Sequence, residues 1–363
     1  MKKYKICVYA ISKNEEKFVE RWVKSMSEAD KIFVLDTGST DNTVRKLKEL
    51  GVNVEIKNFL PWRFDTARNE SLKLVDEDTD ICVCTDIDEV FEKGWRKKLE
   101  ENWSNDTTRC RYSYYWSLDD KDKPKVSFFI DKIHKRFGYS WTHPVHEVLK
   151  YNGNENIITI KDILLKHYPD SSKSRSSYLP LLELSTLEDP TDDRNMHYLG
   201  REYMYYGKWN EAIDTLIKHL SLEKATWKDE RAASMRYIAR SYKNLKRYDE
   251  ARMWLDKSMN EAPYLRDAYV ERGILEYELN NYSSACIYLE KALEIKDHTM
   301  SYIHEVFSWN ETIYDLLSIC YYNLGEFKKS YNNVCIANEL NPDDTRIKEN
   351  KKIIYNKIKK EEI

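Results

Sequence analysis

Ile81-Cys82-Val83-Cys84-Thr85-Asp86-Ile87-Asp88-Glu89 decides the reading of the first half of this 363-residue chain. The four apolar residues read as a short buried strand, and the strand ends in two carboxylates one residue apart. In an open α/β sheet, ligands gather outside the carboxyl ends of the strands, which is where this Asp-x-Asp would stand. Hard divalent cations take oxygen ligands and bridge protein carboxylates to phosphates, so the segment points to a metal-held nucleotide. By itself the same pair would serve as well to cap a helix or decorate a loop.

Outward from this segment, residues 4–170 alternate strand-like and helix-like stretches. Tyr4–Ile11, Lys31–Asp36, Val52–Ile56 and Asp80–Thr85 read as strands; Asn14–Met26, Thr40–Leu50 and Asp65–Val75 read as helices, with Gly51 able to end the second. That order predicts a mostly parallel sheet with helices on both faces. Aromatic-rich segments at Arg109–Ser117, Val126–Ile130 and Ile157–Ile160 predict an antiparallel addition to it.

Composition narrows the class. The length suits two domains. A formal net charge of −3 argues against nucleic acid as the main partner. Seven cysteines without a regular framework read as reduced thiols, and Cys82 and Cys84, two apart on a strand, share one buried face. No apolar run approaches the ~20 residues that span a bilayer. The expectation is a soluble, cytoplasmic protein. Tyrosine is abundant, with 27 copies, and fills helical repeats as readily as binding surfaces.

After about residue 190 the period changes. Gly200, Ala239, Gly273 and Ser318 align as small residues, and twelve positions later come Ala212, Ala251, Ala285 and Ser330. Trp209, Tyr248, Tyr282 and Phe327 precede the second set by three, and Pro263 and Pro342 each follow a first small residue by 24. Small residues let paired helices approach, the aromatic packs the turn, and stacking buries a continuous core. The pattern resembles the tetratricopeptide repeat, at spacings of 39, 34 and 45 where 34 is usual. A polar helix, Asp343–Lys360, would cap the array.

Three further segments carry chemistry toward the same sheet edge. Ser12-Lys13-Asn14-Glu15-Glu16 follows the first strand; Asp36-Thr37-Gly38-Ser39-Thr40-Asp41 follows the second, with Asp36 as a ligand and Asp41 as a helix cap. Phe64-Asp65-Thr66-Ala67-Arg68-Asn69 opens a helix with an acid and a base. Asp78-Thr79-Asp80 is a second Asp-x-Asp, but it precedes its strand and reads as a solvated turn.

With these segments quoted, residues 4–170 resemble a family 2 glycosyltransferase of the GT-A fold. The fold class expected is therefore an α/β, Rossmann-like nucleotide-sugar domain followed by an all-α tetratricopeptide-repeat solenoid. The expected boundaries are 1–175 for the first domain, 176–190 for a linker and 191–363 for the repeats. The resemblance implies nucleotide-sugar contacts at Ser12, Glu15, Asp36, Asp65, Arg68 and Asp86. It implies Mn²⁺ or Mg²⁺ on Asp86 and Asp88, with His146 or His167 completing the set and His146 preferred. It implies a carboxylate base, with Glu147 foremost and Asp119 and Asp120 competing. The family commonly has Asp-Asp-Gly-Ser where this chain has Asp36-Thr37-Gly38-Ser39, so no role passes to a second carboxylate there. Lys173 and Arg175 would close over the diphosphate or belong to a charged linker.

The repeats imply a polypeptide acceptor, and the combination resembles bacterial flagellin glycosyltransferases and peptide S-glycosyltransferases. The expectation is inverting transfer of a sugar, N-acetylglucosamine from UDP-GlcNAc by resemblance, onto Ser or Thr of a protein such as flagellin. A cell-surface glycan or a peptide Cys are alternative acceptors, and the repeats are also free to form a homodimer. A nucleotidyltransferase would open with a glycine- and Arg-rich loop, which Ser12-Lys13-Asn14-Glu15 lacks. A non-catalytic scaffold is opposed by Asp36, Arg68, Asp86 and Asp88 occurring together.

Overall fold

The computed structural model describes residues 4–170, 176–298 and 301–361. Lys173 and Arg175 lie outside the described residues. The chain divides into two compact units, Met1–Glu188 with Met300–Tyr302, and Asp189–Thr299 with Ile303–Ile363. No described helix is long and apolar enough to cross a membrane.

The first unit runs β1 (Ile6–Ser12), α1 (Val19–Met26), β2 (Lys31–Asp36), α2 (Thr43–Glu49), β3 (Asn53–Ile56), α3 (Phe64–Lys73) and β4 (Ile81–Cys84). It continues with β5 (Glu89–Phe91), α4 (Trp95–Asn102), β6 (Arg109–Leu118), β7 (Pro124–Lys135), β8 (Tyr139–Thr142), β9 (Val148–Tyr151), β10 (Ile157–His167) and α5 (Tyr178–Glu188). One sheet has the order β3-β2-β1-β4-β7-β6-β10-β5, and β8 pairs with β9 separately. The first four strands are parallel; β7 is antiparallel to both β4 and β6, as expected of the aromatic segments, but Ile157–Ile160 of β10, expected to be antiparallel too, pairs parallel with β6.

Alternation along the strands builds two cores. Ile6, Val8, Val34, Ile81 and Val83 face one side with Val19, Trp22 and Met26 of α1, which recur at helical spacing. Cys7, Tyr9, Cys82 and Cys84 face the other with Leu72, Trp141 and Leu149. Both thiols of the opening segment thus lie on one buried face. The stretch 176–190, expected to be a linker, instead contains α5, because Leu179, Leu181 and Leu182 are apolar enough to be buried.

The second unit comprises α6 (Asp193–Tyr205), α7 (Trp209–Ser221), α8 (Lys228–Asn244), α9 (Tyr248–Glu261), α10 (Arg266–Glu278), α11 (Tyr282–Glu294), α12 (Thr312–Asn323), α13 (Phe327–Leu340) and α14 (Thr345–Glu361). The four aligned pairs of small residues fall on α6/α7, α8/α9, α10/α11 and α12/α13. A side chain at Gly273 would meet Leu289 of the paired helix at 2.6 Å, and one at Gly200 would strike the corresponding Leu216. Each aromatic begins its helix, and two residues before it stands a left-handed residue: Gly207, Lys246, Asn280 or Gly325. The next amide closes the turn, as Lys208 N on Tyr203 O (2.9 Å) and Arg247 N on Tyr242 O (2.9 Å) show. α14 buries Ile347 and Ile354 against Val334 and Ala337 of α13, the capping role expected of it.

Candidate active site

The ladder aligns three strand ends. Ser12 of β1 is level with Asp36 of β2, and β4 beside β1 delivers Asp86 just beyond Cys84. The loops after β1 and β2 are laced together. Asn14 Oδ1 accepts from Thr40 N (2.8 Å), Glu15 N donates to Thr43 Oγ1 (2.7 Å), and Glu16 Oε2 accepts from Asn42 N (2.9 Å). Asp41 accepts from Thr43 N (2.9 Å) and Glu16 N (3.2 Å), close to the cap expected of it.

Asp36 departs from its expected role as a direct ligand. It is fully buried, and its carboxylate accepts from Ser12 Oγ (2.7 Å), Gly38 N (3.0 Å), Ser39 N (2.8 Å) and Ser39 Oγ (2.5 Å). Four donors fill a carboxylate's acceptor sites, so Asp36 shapes the loop, and Ser12 is spent on the same task. Gly38 is required there. Its φ is +101°, and any side chain would run into Asn58.

Asp65, at the start of α3, forms a two-pronged pair with Arg63 (3.0 and 2.8 Å), and Arg63 reaches on to Glu188 (3.1 Å). Burial opposes the Asp65 charge, but Arg63 outweighs it and lowers the pKa. Arg68, one turn further on, is only 4% exposed. Its Nη2 donates to Asp86 Oδ1 (2.7 Å), its Nε pairs with Glu147, and the guanidinium lies 5.1 Å from the Trp141 ring centroid. One cation therefore joins the Asp-x-Asp to the foremost base candidate.

The second Asp86 oxygen accepts from Lys132 Nζ (3.0 Å), on β7. Burial disfavours the Asp86 charge, yet Arg68 and Lys132 overcome it and hold the carboxylate far below its usual range. Glu89, 1% exposed, props the turn. Its Oε2 accepts from Asp86 N (2.8 Å), its Oε1 from the Tyr114 hydroxyl (2.8 Å), and burial raises its pKa. Sequence reasoning missed both residues. The signal for Lys132 was the charged pair Asp131-Lys132 set between Ile130 and Ile133 in the middle of an apolar stretch of the strand.

Asp88 is fixed from the far side of the sheet. Its carbonyl accepts from Tyr168 N (2.9 Å), and β10 lies antiparallel to β5 with His167 opposite Glu89. That register puts His167 Nε2 3.3 Å from Asp88 Oδ2, while His167 Nδ1 and Trp116 O are 3.0 Å apart. Burial works against the charged imidazole, but the hydrogen bond to Asp88 wins and raises its pKa. Trp116 stacks on the same ring at 4.5 Å. The histidine recorded on Asp88 is thus His167. His146, the preferred one, stands beside Tyr178 of α5 with ring centroids 5.8 Å apart.

Asp119 accepts from Lys121 N and Lys123 N (both 2.8 Å) and shapes the β6–β7 hairpin tip, where Asp120 is exposed. The decoy Asp78-Thr79-Asp80 lies at the opposite sheet edge, where Asp80 accepts from Lys5 N (2.7 Å).

Among the described residues, no three His, Cys, Asp or Glu side chains are gathered as a metal cage. The donor set nonetheless fits a cation of the Mg²⁺ or Mn²⁺ type, which takes one or two protein ligands and completes its shell with substrate phosphates. Asp88 and His167 would be the donors; Asp86 is engaged by its two cations.

Residues 7–150 match the family model for Glycosyl transferase family 2. Outer dynein arm-docking complex subunit 4 of Danio rerio is 35% identical over 121 residues, which is 31% of this chain and 24% of that protein. The chain thus spans about a quarter of the length of that curated relative. A thermophilic TPR protein of Thermus thermophilus is 18% identical, covering 50% of this chain and 90% of its own, at a TM-score of 0.36. MamA is 18% identical, covering 47% and 95%, at 0.37. Residues 7–150 of the first unit are thus a glycosyltransferase family 2 domain by the family model, while the paired helices of the second unit stand on its own geometry.

Proposed function

We propose that the chain is a metal-dependent glycosyltransferase that moves a sugar from a UDP-sugar to a polypeptide. The observation that carries the reading is the Asp86-Ile87-Asp88 turn at the end of β4, gripped by Arg68 and Lys132 on one carboxylate and by His167 on the other. Asp88 and His167 would hold Mn²⁺ or Mg²⁺. When bound, the cation neutralises charge on the nucleoside diphosphate leaving group.

The remaining work belongs to the protein's own groups. The laced loops after β1 and β2 supply a rigid floor for the nucleoside, with Glu15 beside it. Arg68 keeps Asp86 and Glu147 in register, so that the other Glu147 oxygen takes the acceptor proton as the acceptor attacks the anomeric carbon from the face opposite the leaving group, with inversion. Lys132 adds positive charge beside the diphosphate, fixed before reaction and therefore without reorganisation cost. The helical array favours a polypeptide acceptor, because paired-helix repeats offer long surfaces to extended chains. N-acetylglucosamine as donor sugar and Ser or Thr of a flagellin-like surface protein as acceptor rest on the family resemblance.

The test is a panel of nucleotide sugars incubated with the protein, with and without Mn²⁺. UDP release from one donor, dependent on metal and abolished in Asp88→Ala, supports the reading. No release from any donor, with metal present, sinks it. Intact mass of candidate acceptor proteins then identifies the linkage.

A further inference from the structure

The step of 45 residues between the third and fourth repeats holds an insert, and its described part crosses α8 and α10. Glu305 is extended, at φ −97° and ψ 134°. Arg236 Nη2 donates to Ile303 O (2.7 Å), and Asp267 Oδ1 accepts from Glu305 N (2.7 Å). The Glu305 carboxylate accepts from Arg236 (3.4 Å) and from Arg240. Arg266 covers Trp309 at 3.8 Å. Arg236 and Arg240 are one turn apart on α8; Asp267 and Glu271 are one turn apart on α10. These helices therefore hold the residue that enters the 3-10 turn Val306–Ser308 by its main chain and by its carboxylate, with Glu271 spent on both arginines.

Beside this seated segment lies a cavity of about 390 Å³. Its apolar wall includes Met204, Trp209, Leu255, Ile274 and the insert's own Phe307, and its cations are Arg240 and Lys243. Among the described residues no acceptor engages Arg240 Nη1, and Lys243 meets only the half-exposed Glu278 (2.9 Å). Apolar cavities of roughly 300–1,000 Å³ with a few convergent polar groups are ligand sites by default.

We propose that this cavity anchors a bulky apolar side chain of an acidic polypeptide, whose neighbouring carboxylate rests on Lys243 and Arg240. The insert displays the chemistry that the surface accepts, a carboxylate two residues before an aromatic ring. The site deepens the polypeptide-acceptor reading above and rests on it.

The experiment is fluorescence anisotropy of the full chain with a labelled peptide bearing Glu-Val-Phe between Ser/Gly flanks, without nucleotide sugar or metal. Saturable binding is expected, weakened at least about tenfold when Lys replaces the Glu or Ala replaces the Phe. Lys243→Glu, which changes a half-buried side chain at the cavity edge, and Ile274→Trp, which fills the cavity, are expected to weaken it equally with unchanged thermal transitions. The proposal is overturned if the three peptides bind alike or if Lys243→Glu binds as tightly as the parent. Because no sugar is present, failed binding leaves UDP release standing. Lost UDP release with intact binding removes only the transfer reading.

Discussion

Arg68 donates to Glu147 across 79 residues of chain while its other arm holds Asp86, so the base candidate and the Asp-x-Asp share one buried cation. A lysine carries the same charge but cannot present two N–H groups in fixed directions. Arg68→Lys is expected to cut the rate of UDP release about 10²-fold, and Arg68→Ala to lower stability by about 3–5 kcal/mol as well, because two carboxylates lose their partner. Equal rates for Arg68→Lys and the parent would show that the link is not used.

The two histidines make a sharper comparison. His167→Ala is expected to weaken Mn²⁺ binding about tenfold or more, as titrated by electron spin resonance, while His146→Ala leaves it within about twofold. The reverse order would return the ligand role to His146.

Acid should weaken the first unit through His134. Its Nε2 and the Tyr9 hydroxyl are 2.8 Å apart, and its Nδ1 lies 2.8 Å from Lys135 O, so the neutral ring fits with Nδ1 as donor. Burial holds its pKa down at about 3. The unfolded chain takes up a proton near pH 6.5, which the folded chain refuses. Stability is therefore full above about pH 6.5 and is lost progressively as pH falls toward about 3, by about 2 kcal/mol at pH 5 from this group. Urea denaturation at pH 7 and pH 5 measures the loss, and His134→Gln should flatten it. An unchanged slope in the variant would assign the effect elsewhere.

In the repeats, Gly273→Ala is expected to cost about 1–3 kcal/mol, since the new methyl would meet Leu289 at 2.6 Å. Adding Leu289→Ala should cost less than the two changes summed, a coupling that thermal denaturation of the double-mutant cycle reads directly. Strict additivity would mean that the helices move apart instead.

Much of this architecture was legible because its signals are local. Lys31–Asp36 matches β2 residue for residue, and the small-residue pairs located all four helix hairpins. Pairings distant in sequence were not legible. β5 is only three residues long, and its position follows from β10, seventy-odd residues later. That same ladder places His167, and not His146, beside Asp88, and no motif around either histidine encodes it. Asp36 looked like a ligand because the sequence shows a carboxylate at a strand tip but not the four donors that surround it. Lys132 was hidden for a related reason, since a lysine in a strand gains meaning only from the carboxylates across the sheet.

The pairing of β10 with both β6 and β5 also bears on where this chain can be cut. Similarity to the glycosyltransferase family ends at residue 150, yet the histidine on Asp88 arrives with the strand after it. A fragment trimmed to the family boundary would lose a strand from within its sheet, bare the edge of β6 to other chains, and carry an Asp-x-Asp with no imidazole beside it. The smallest piece with a complete site is longer than the piece that homology outlines.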